Sequence, residues 1–276
     1  MKTIVLILLL ALHPLDAFFK EVSFEKSFFD ATVLEKPNPN GRLFQALYEA
    51  YQNETEISEE YIIPKMIHFV WVGSPVPLPY KKFIASWKRL HPDWIVKVWT
   101  DQAVAFLGLR NQYAYDSARN FGEKADIARY EILYRYGGVY VDIDFECVKP
   151  FDNLHKSCEV YAGINGDNEC LLNGLIGIRA GHPIMKACIE NIKAGPGDHD
   201  EMRIMKETGP YFFTKMFVEY ASRMLGKVVP FPPSFFYSFP GSFRHLKNCE
   251  EIKREFLKPE SLAIHYWASS WMINKE

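Results

Sequence analysis

Asp142 and Asp144 stand two residues apart in the stretch YRYGGVYVDIDFECVKPF, residues 134–151. Val139, Val141, Ile143 and Phe145 alternate with Tyr140, Asp142 and Asp144, the period of a β-strand, so both carboxylates fall on one face about 6.6 Å apart. Burying two like charges side by side is costly. Either the strand ends in water, or a cation sits between them. Oxygen ligands of this kind suit Mg²⁺ or Mn²⁺, which would also bind phosphate oxygens. Alone, D-x-D is a weak signal, and the chain carries a second one, Asp198-His199-Asp200, in the loop AGPGDHDE. There the acids are explained as partners of a helix N-terminus.

The element before the first pair is what sets it apart. GEKADIARYEILYRYGG is expected to be a helix with Ala125, Ala128, Ile132 and Tyr136 in one stripe, ending where Gly137-Gly138 supply a left-handed cap. Asp126 and Arg129, three apart, share a face and form at least a salt bridge. Upstream, MIHFVWVG is an apolar run stopped by Gly73, as in a strand buried on both faces. Phe83, Ile84, Trp87 and Leu90 mark an amphipathic helix closed by His91-Pro92. WIVKVW gives a second strand, with Thr100-Asp101 placed to cap the helix after it. Strands alternating with helices imply an α/β layered sheet with ligand loops at the strand ends.

At 276 residues and 48% hydrophobic content the chain can bury a substantial core. A formal net charge of -2 supplies no basic stripe, so nucleic acid is not the expected partner. Lys2, the apolar run from Ile4 to Leu12, Pro14 and Ala17 read as a signal peptide over residues 1–17, with an uncleaved anchor as the alternative, the run being short of the about 20 residues a membrane span needs. Residues 18–60 form a lead-in whose Leu43, Phe44, Leu47, Tyr48 and Tyr51 recur at helical spacing, as in a docking helix. Residues 61–276 hold the main domain. Cys147, Cys158, Cys170, Cys188 and Cys249 lack zinc spacing and are core thiols or at most two disulfides. Asn53-Glu54-Thr55 is a glycosylation sequon in a eukaryotic host. Neither a P-loop nor a G-x-G-x-x-G turn follows the first strand, so a diphosphate would need a metal.

The whole string K-A-D-I-x-R-Y-x-x-L-Y-x-x-G-G-x-Y-x-D-x-D, residues 124–144, resembles the signature of the DXD-type sugar transferases, glycosyltransferase family 32. IPKMIHFVWVG, SWKRLHPDW, LLNGLIGIRAGHPIM, ETGP and HYWASSW are similar to further segments of that family, so the resemblance covers most of the chain after the lead-in. It implies an α/β sandwich of the GT-A type, with a mostly parallel central sheet, that binds a nucleotide sugar. It further implies that Trp71 lies near the nucleobase, Asp126 and Arg129 hold donor-sugar hydroxyls, and Tyr140 packs beside the donor. Asp142, Asp144 and His265 would hold Mn²⁺ or Mg²⁺, Asn173 would approach the sugar, and Ser270 and Trp271 would close over the phosphates.

The reaction expected on this resemblance is retaining transfer of a hexose from a UDP- or GDP-sugar to a glycan, lipid or protein acceptor. A divalent cation would stabilise the charge that builds on the departing diphosphate. The alternatives are a secreted sugar-binding relative without activity and a metal-dependent phosphoesterase, although no two-metal cluster of His and Asp is evident for the latter. The segment FPPSFFYSFPGSF is an acceptor loop, a peripheral membrane contact or packed core. With a signal peptide, the destination is the Golgi or ER lumen in a eukaryote and the periplasm or exterior in a bacterium.

Overall fold

The computed structural model describes residues 21–35, 38–54, 57–167, 170–193, 200–221, 227–243 and 250–268. The expected signal peptide over residues 1–17 lies outside them, as do Asp198, Cys249, Ser270 and Trp271. Among the described residues the order is α1 (Gly41–Asn53), β1 (Met66–Val70), α2 (Leu78–Leu90), β2 (Ile95–Trp99), α3 (Asp101–Leu107), α4 (Gln112–Ser117), α5 (Phe121–Tyr136), β3 (Gly138–Val141), β4 (Phe145–Cys147), α6 (Asp152–Ser157), β5 (Val160–Ile164), β6 (Leu171–Ile178), α7 (Pro183–Asn191), α8 (Glu201–Glu207), α9 (Pro210–Ala221), β7 (Val228–Phe231), α10 (Glu250–Glu255) and β8 (Ala263–His265).

Six strands make the central sheet in the order β2-β1-β3-β6-β5-β7. Pairing is parallel from β2 through β1 to β3 and again between β5 and β7, while β6 runs against both neighbours. This is the mostly parallel α/β sandwich expected. Strands β3, β5 and β7 are buried throughout, which is why they are written as continuous apolar runs without alternation.

Helix α5 starts on Asn120, whose Oδ1 accepts from the backbone N–H of Gly122 and Glu123. It ends at Gly137 and Gly138, with φ of 61° and 92°, a turn that L side chains rarely adopt. A Cβ at Gly138 would sit 2.5 Å from the Met66 carbonyl, so the glycine also lets β3 close onto β1. Two local expectations need correction. The alternation over 139–145 is not one strand: β3 stops at Val141, Asp142 makes a last bond to the Gly174 carbonyl at 2.7 Å, and a turn leads into β4. Strand β4 pairs with β8 in a separate two-stranded sheet, Phe145 opposite His265, so the chain leaves the central sheet between the two aspartates. Thr100 stands at the N-cap of α3 but its side chain makes no cap; Asp101 accepts instead from the Gly73 N–H at 2.9 Å, tying down the loop after β1.

The lead-in helix α1 buries Phe44, Leu47, Tyr48 and Tyr51. The Tyr48 and Tyr51 rings lie 5.9 and 5.3 Å from Phe231 of β7, so α1 covers the outer strand of the sheet. With Phe24, Phe28 and Val33 it joins the same continuous core as the strands, so the described lead-in is part of the fold's packing. In the segment after β7, Phe235, Phe236, Tyr237 and Phe239 are buried, which makes it core. Cys147, Cys158, Cys170 and Cys188 are buried as thiols. Among the described residues no helix is long and apolar enough to cross a membrane.

Candidate functional site

A cavity of about 770 Å³ opens where β1, α5, β3 and β6 meet the small sheet, and Trp71, Asp126, Arg129, Tyr140, Asp142, Asp144, Asn173 and His265 all line it. Three strands of the central sheet, its covering helix α5 and the small sheet therefore bring together residues as far apart in the chain as Trp71 and His265.

On the helix side, Asp126 and Arg129 are 6% and 4% exposed, so this is no surface salt bridge. Arg129 Nη2 lies 3.0 Å from Asp126 Oδ1 and 3.4 Å from Asp142 Oδ1, its Nη1 donates to the Asn173 carbonyl at 2.5 Å, and its guanidinium stacks 4.2 Å from the Tyr140 ring centre. Asp126 also accepts from Asn173 Nδ2 at 2.8 Å and from the Thr208 hydroxyl at 3.1 Å. Burial pushes the Asp126 carboxyl up to about 7, against the pull of Arg129. A carboxylate offers about four lone-pair positions and three are taken, which leaves one open. Thr208, in the ETGP turn, carries no spacing signal in sequence; only the fold brings it under Asp126.

On the strand side, Asp142 Oδ1 accepts from the Tyr140 hydroxyl at 2.7 Å, and 32% of its side-chain surface stays open to the cavity. Burial still moves its carboxyl upward, partly offset by Arg129. Asp144 moves the other way: burial works upward, but His265 Nε2 at 3.0 Å and the Ala268 N–H at 2.7 Å hold it below the usual carboxylate range. Trp267 lies between those two partners with φ of 53°, a conformation uncommon outside glycine, and this turns the Ala268 N–H back onto Asp144.

Asp142, Asp144 and His265 each present a ligand atom within 4.8 Å of the others. The buried His265 Nδ1 has no hydrogen-bond partner among the described residues, while the other ring nitrogen, Nε2, lies 3.0 Å from Asp144 Oδ1. Two carboxylates and an imidazole that converge in this way fit a divalent cation with oxygen and nitrogen ligands. Trp71, half-buried, lines the same cavity and donates to the Ser74 hydroxyl at 3.1 Å with its ring 5.3 Å from Tyr80. Of the second D-x-D, Asp200 caps α8 by accepting from the Met202 N–H at 3.0 Å, away from the cavity lining.

Residues 78–161, which include both members of the aspartate pair, match the family described as a glycosyltransferase sugar-binding region containing a DXD motif. Over that stretch the chain is similar to the DXD-motif glycosyltransferases. Within that family's range of relatives it is 29% identical over 228 residues to inositol phosphoceramide mannosyltransferase 2 of Schizosaccharomyces pombe, covering 79% of this chain and 61% of that protein. It is 27% identical over 237 residues to mannosyl phosphorylinositol ceramide synthase SUR1 of Saccharomyces cerevisiae, 75% of this chain and 58% of that one. Against inositol phosphoceramide mannosyltransferase 3 of S. pombe the shares are 60% and 48%, so the chain spans about half the length of the curated relatives it matches. Among solved structures, the PaToxG glycosyltransferase aligns with a TM-score of 0.48 at 19% identity, over 58% of this chain and 70% of that one. The UDP-bound glycosyltransferase domain of the YGT toxin aligns with a TM-score of 0.45 at 11% identity, over 71% and 90%.

Proposed function

We propose that this protein is a metal-dependent, retaining glycosyltransferase with a GT-A architecture, which moves a hexose from a nucleoside-diphosphate sugar to a glycan, lipid or protein acceptor. The observation that carries the reading is the join of two half-sites in one cavity: the buried Asp126–Arg129 pair beside Asn173, and the open Asp142 with Asp144 and His265. The first half is built to hydrogen-bond neutral hydroxyls, the second to hold a cation against phosphate.

In this reading Asp142, Asp144 and His265 hold Mn²⁺ or Mg²⁺, which when bound supplies Lewis-acid stabilisation of the departing diphosphate. Arg129 and Asp126 orient the sugar, Tyr140 flanks the donor through its stack on Arg129, and Trp71 with Ser74 receives the nucleobase. Ser270 and Trp271 are assigned to the phosphates on the strength of the family resemblance alone. Two of the relatives named above act on inositol phosphoceramide, and a glycolipid headgroup is accordingly the first acceptor to try. A secretory route fits the apolar run from Ile4 to Leu12.

The test is a panel of UDP- and GDP-hexoses with Mn²⁺ or Mg²⁺, scored for release of nucleoside diphosphate. One donor should be cleaved, and a chelator should abolish the release. Cleavage of simple phosphate esters in place of nucleotide sugars, or no release from any donor, would refute the reading.

A further inference from the structure

The Tyr237 hydroxyl has no role in the site as described so far, and its placement is unusual for a core tyrosine. The residue is 2% exposed, and its O–H finds no acceptor among the described residues, although the Leu175 backbone N–H lies near enough to its oxygen to favour the charged form. A tyrosine enclosed to this degree normally finds a partner, and a phenylalanine would fill the same space without leaving a polar group stranded. Its ring is fixed on three sides, with the Phe145, His265 and Trp267 ring centres at 5.3, 5.6 and 5.8 Å. The direction of the hydroxyl is therefore set by packing.

Two strand glycines make room for that direction. A Cβ on Gly163 of β5 would meet the Tyr237 ring at 2.5 Å, beside the register shift between Ala162 and Gly163. A Cβ on Gly174 of β6 would lie 2.6 Å from Asp142 Oδ2 and 3.4 Å from the Tyr237 oxygen, so the hydroxyl and that carboxylate oxygen border the same small space. Glycine inside a strand commonly marks close approach by a ligand or another chain segment. Asp142 thus has two sides. Its Oδ1 faces Arg129 and Tyr140, the sugar-holding half, while its Oδ2 faces Tyr237, whose ring rests on His265.

We propose that Tyr237 is a donor-binding residue: its hydroxyl donates a hydrogen bond to a diphosphate oxygen of the nucleotide sugar on the cation side of Asp142. This rests on the glycosyltransferase reading above. A phenol donor suits an anionic oxygen, and it adds no negative charge beside two carboxylates.

The test is Tyr237→Phe, which keeps the ring and its packing. Isothermal titration measures Mn²⁺ alone, then the nucleoside diphosphate and the nucleoside monophosphate of each base in the presence of Mn²⁺; thermal melting reports the fold. The variant should melt at or above the wild-type midpoint and bind Mn²⁺ unchanged. Its affinity for the nucleoside diphosphate should fall about tenfold, the loss of one hydrogen bond to a charged group, with the monophosphate affected less than twofold. Unchanged diphosphate affinity overturns the assignment. So does an equal loss for Mn²⁺ alone, which would put the hydroxyl in the service of the cation. If wild-type protein binds no nucleoside diphosphate of either base, it is the glycosyltransferase reading that fails; if wild type binds and the variant binds equally, only Tyr237 is misassigned.

Discussion

Mild acid should destabilise this fold well above the range in which ordinary carboxylates titrate, because buried histidines are held in their neutral form, His68, His155 and His182 most strongly. His68 Nε2 lies 2.9 Å from the Gly137 carbonyl and its Nδ1 accepts from Trp99 Nε1 at 3.2 Å. His155 bridges the Ile63 carbonyl and the Tyr161 hydroxyl, and His182 Nδ1 accepts from the Ile184 N–H at the start of α7. A proton added to His68 or His182 at the accepting nitrogen would face another N–H. Burial lowers His68 and His182 to about 4 and His155 to about 3. A folded pKa below the unfolded one means that the unfolded chain takes up the protons, so stability is full above about 6.5 and is lost as pH falls toward 4. At pH 5 each ring costs about 2 kcal/mol, roughly 6 kcal/mol for three, relative to pH 7.5. Asp126 opposes this, since a carboxyl raised to about 7 takes its proton in the folded state and returns about 2.5 kcal/mol over the same interval. The net loss of about 3.5 kcal/mol is a large share of the 5–15 kcal/mol typical of a domain. Urea denaturation between pH 7.5 and 5 measures it, and Asp126→Asn should steepen the fall toward the full histidine value. A midpoint that stays flat over that interval in both proteins would refute the assignment of neutral buried rings.

The strand aspartates and the loop aspartate should behave oppositely. Asp142→Asn and Asp144→Asn should each lower metal-dependent release of nucleoside diphosphate at least about a hundredfold, roughly 2.7 kcal/mol of barrier, while Asp200→Asn loses little activity and at most about 1 kcal/mol of stability. In the metal-free protein Asp142→Asn should raise the thermal midpoint, its charge being disfavoured by burial, whereas Asp144→Asn should lower it, because His265 and the Ala268 N–H lose a charged acceptor. Arg129→Lys should fold yet lose most activity, since an ammonium cannot serve Asp126, Asp142 and the Asn173 carbonyl at once while stacking on Tyr140; steady-state kinetics near wild type would contradict the sugar-binding role. Gly174→Ala should displace the Asp142 carboxylate that a Cβ would approach to 2.6 Å, weakening Mn²⁺ binding by calorimetry with the fold retained.

The helical half of the site was legible because its signal is local. Asp126 and Arg129 share a face by spacing alone, and the Gly137-Gly138 stop fixes where α5 hands the chain to β3. The aspartate pair was legible as a pair but not as geometry, since alternation over 139–145 predicts one strand and nothing in those residues announces a change of sheet. That change is dictated by β8, whose His265 is 121 positions from Asp144. Long-range pairing of this kind has no signature in a local window, and His265 and Asn173 were reached through family resemblance. Thr208, Gly174, Trp267 and Tyr237 escaped for the same reason: each acts through a neighbour that only the tertiary fold supplies.

The small sheet has a consequence for how the protein breathes. Strands β4 and β8 pair over three residues each, against the six-stranded sheet that carries most of the core. Units so short open with less free energy than the whole domain, so amide hydrogens at 145–147 and 263–265 should exchange through local opening while those of β3 and β6 wait for global unfolding. Every such opening separates His265 from Asp144 and dismantles the cluster. A cation that binds only the closed form therefore slows this exchange by its occupancy, about 2.7 kcal/mol of added protection at a hundredfold excess over its dissociation constant. The cluster then acts as a clasp, and the rate at which deuterium enters those six backbone positions becomes a gauge of its loading that requires neither donor nor acceptor.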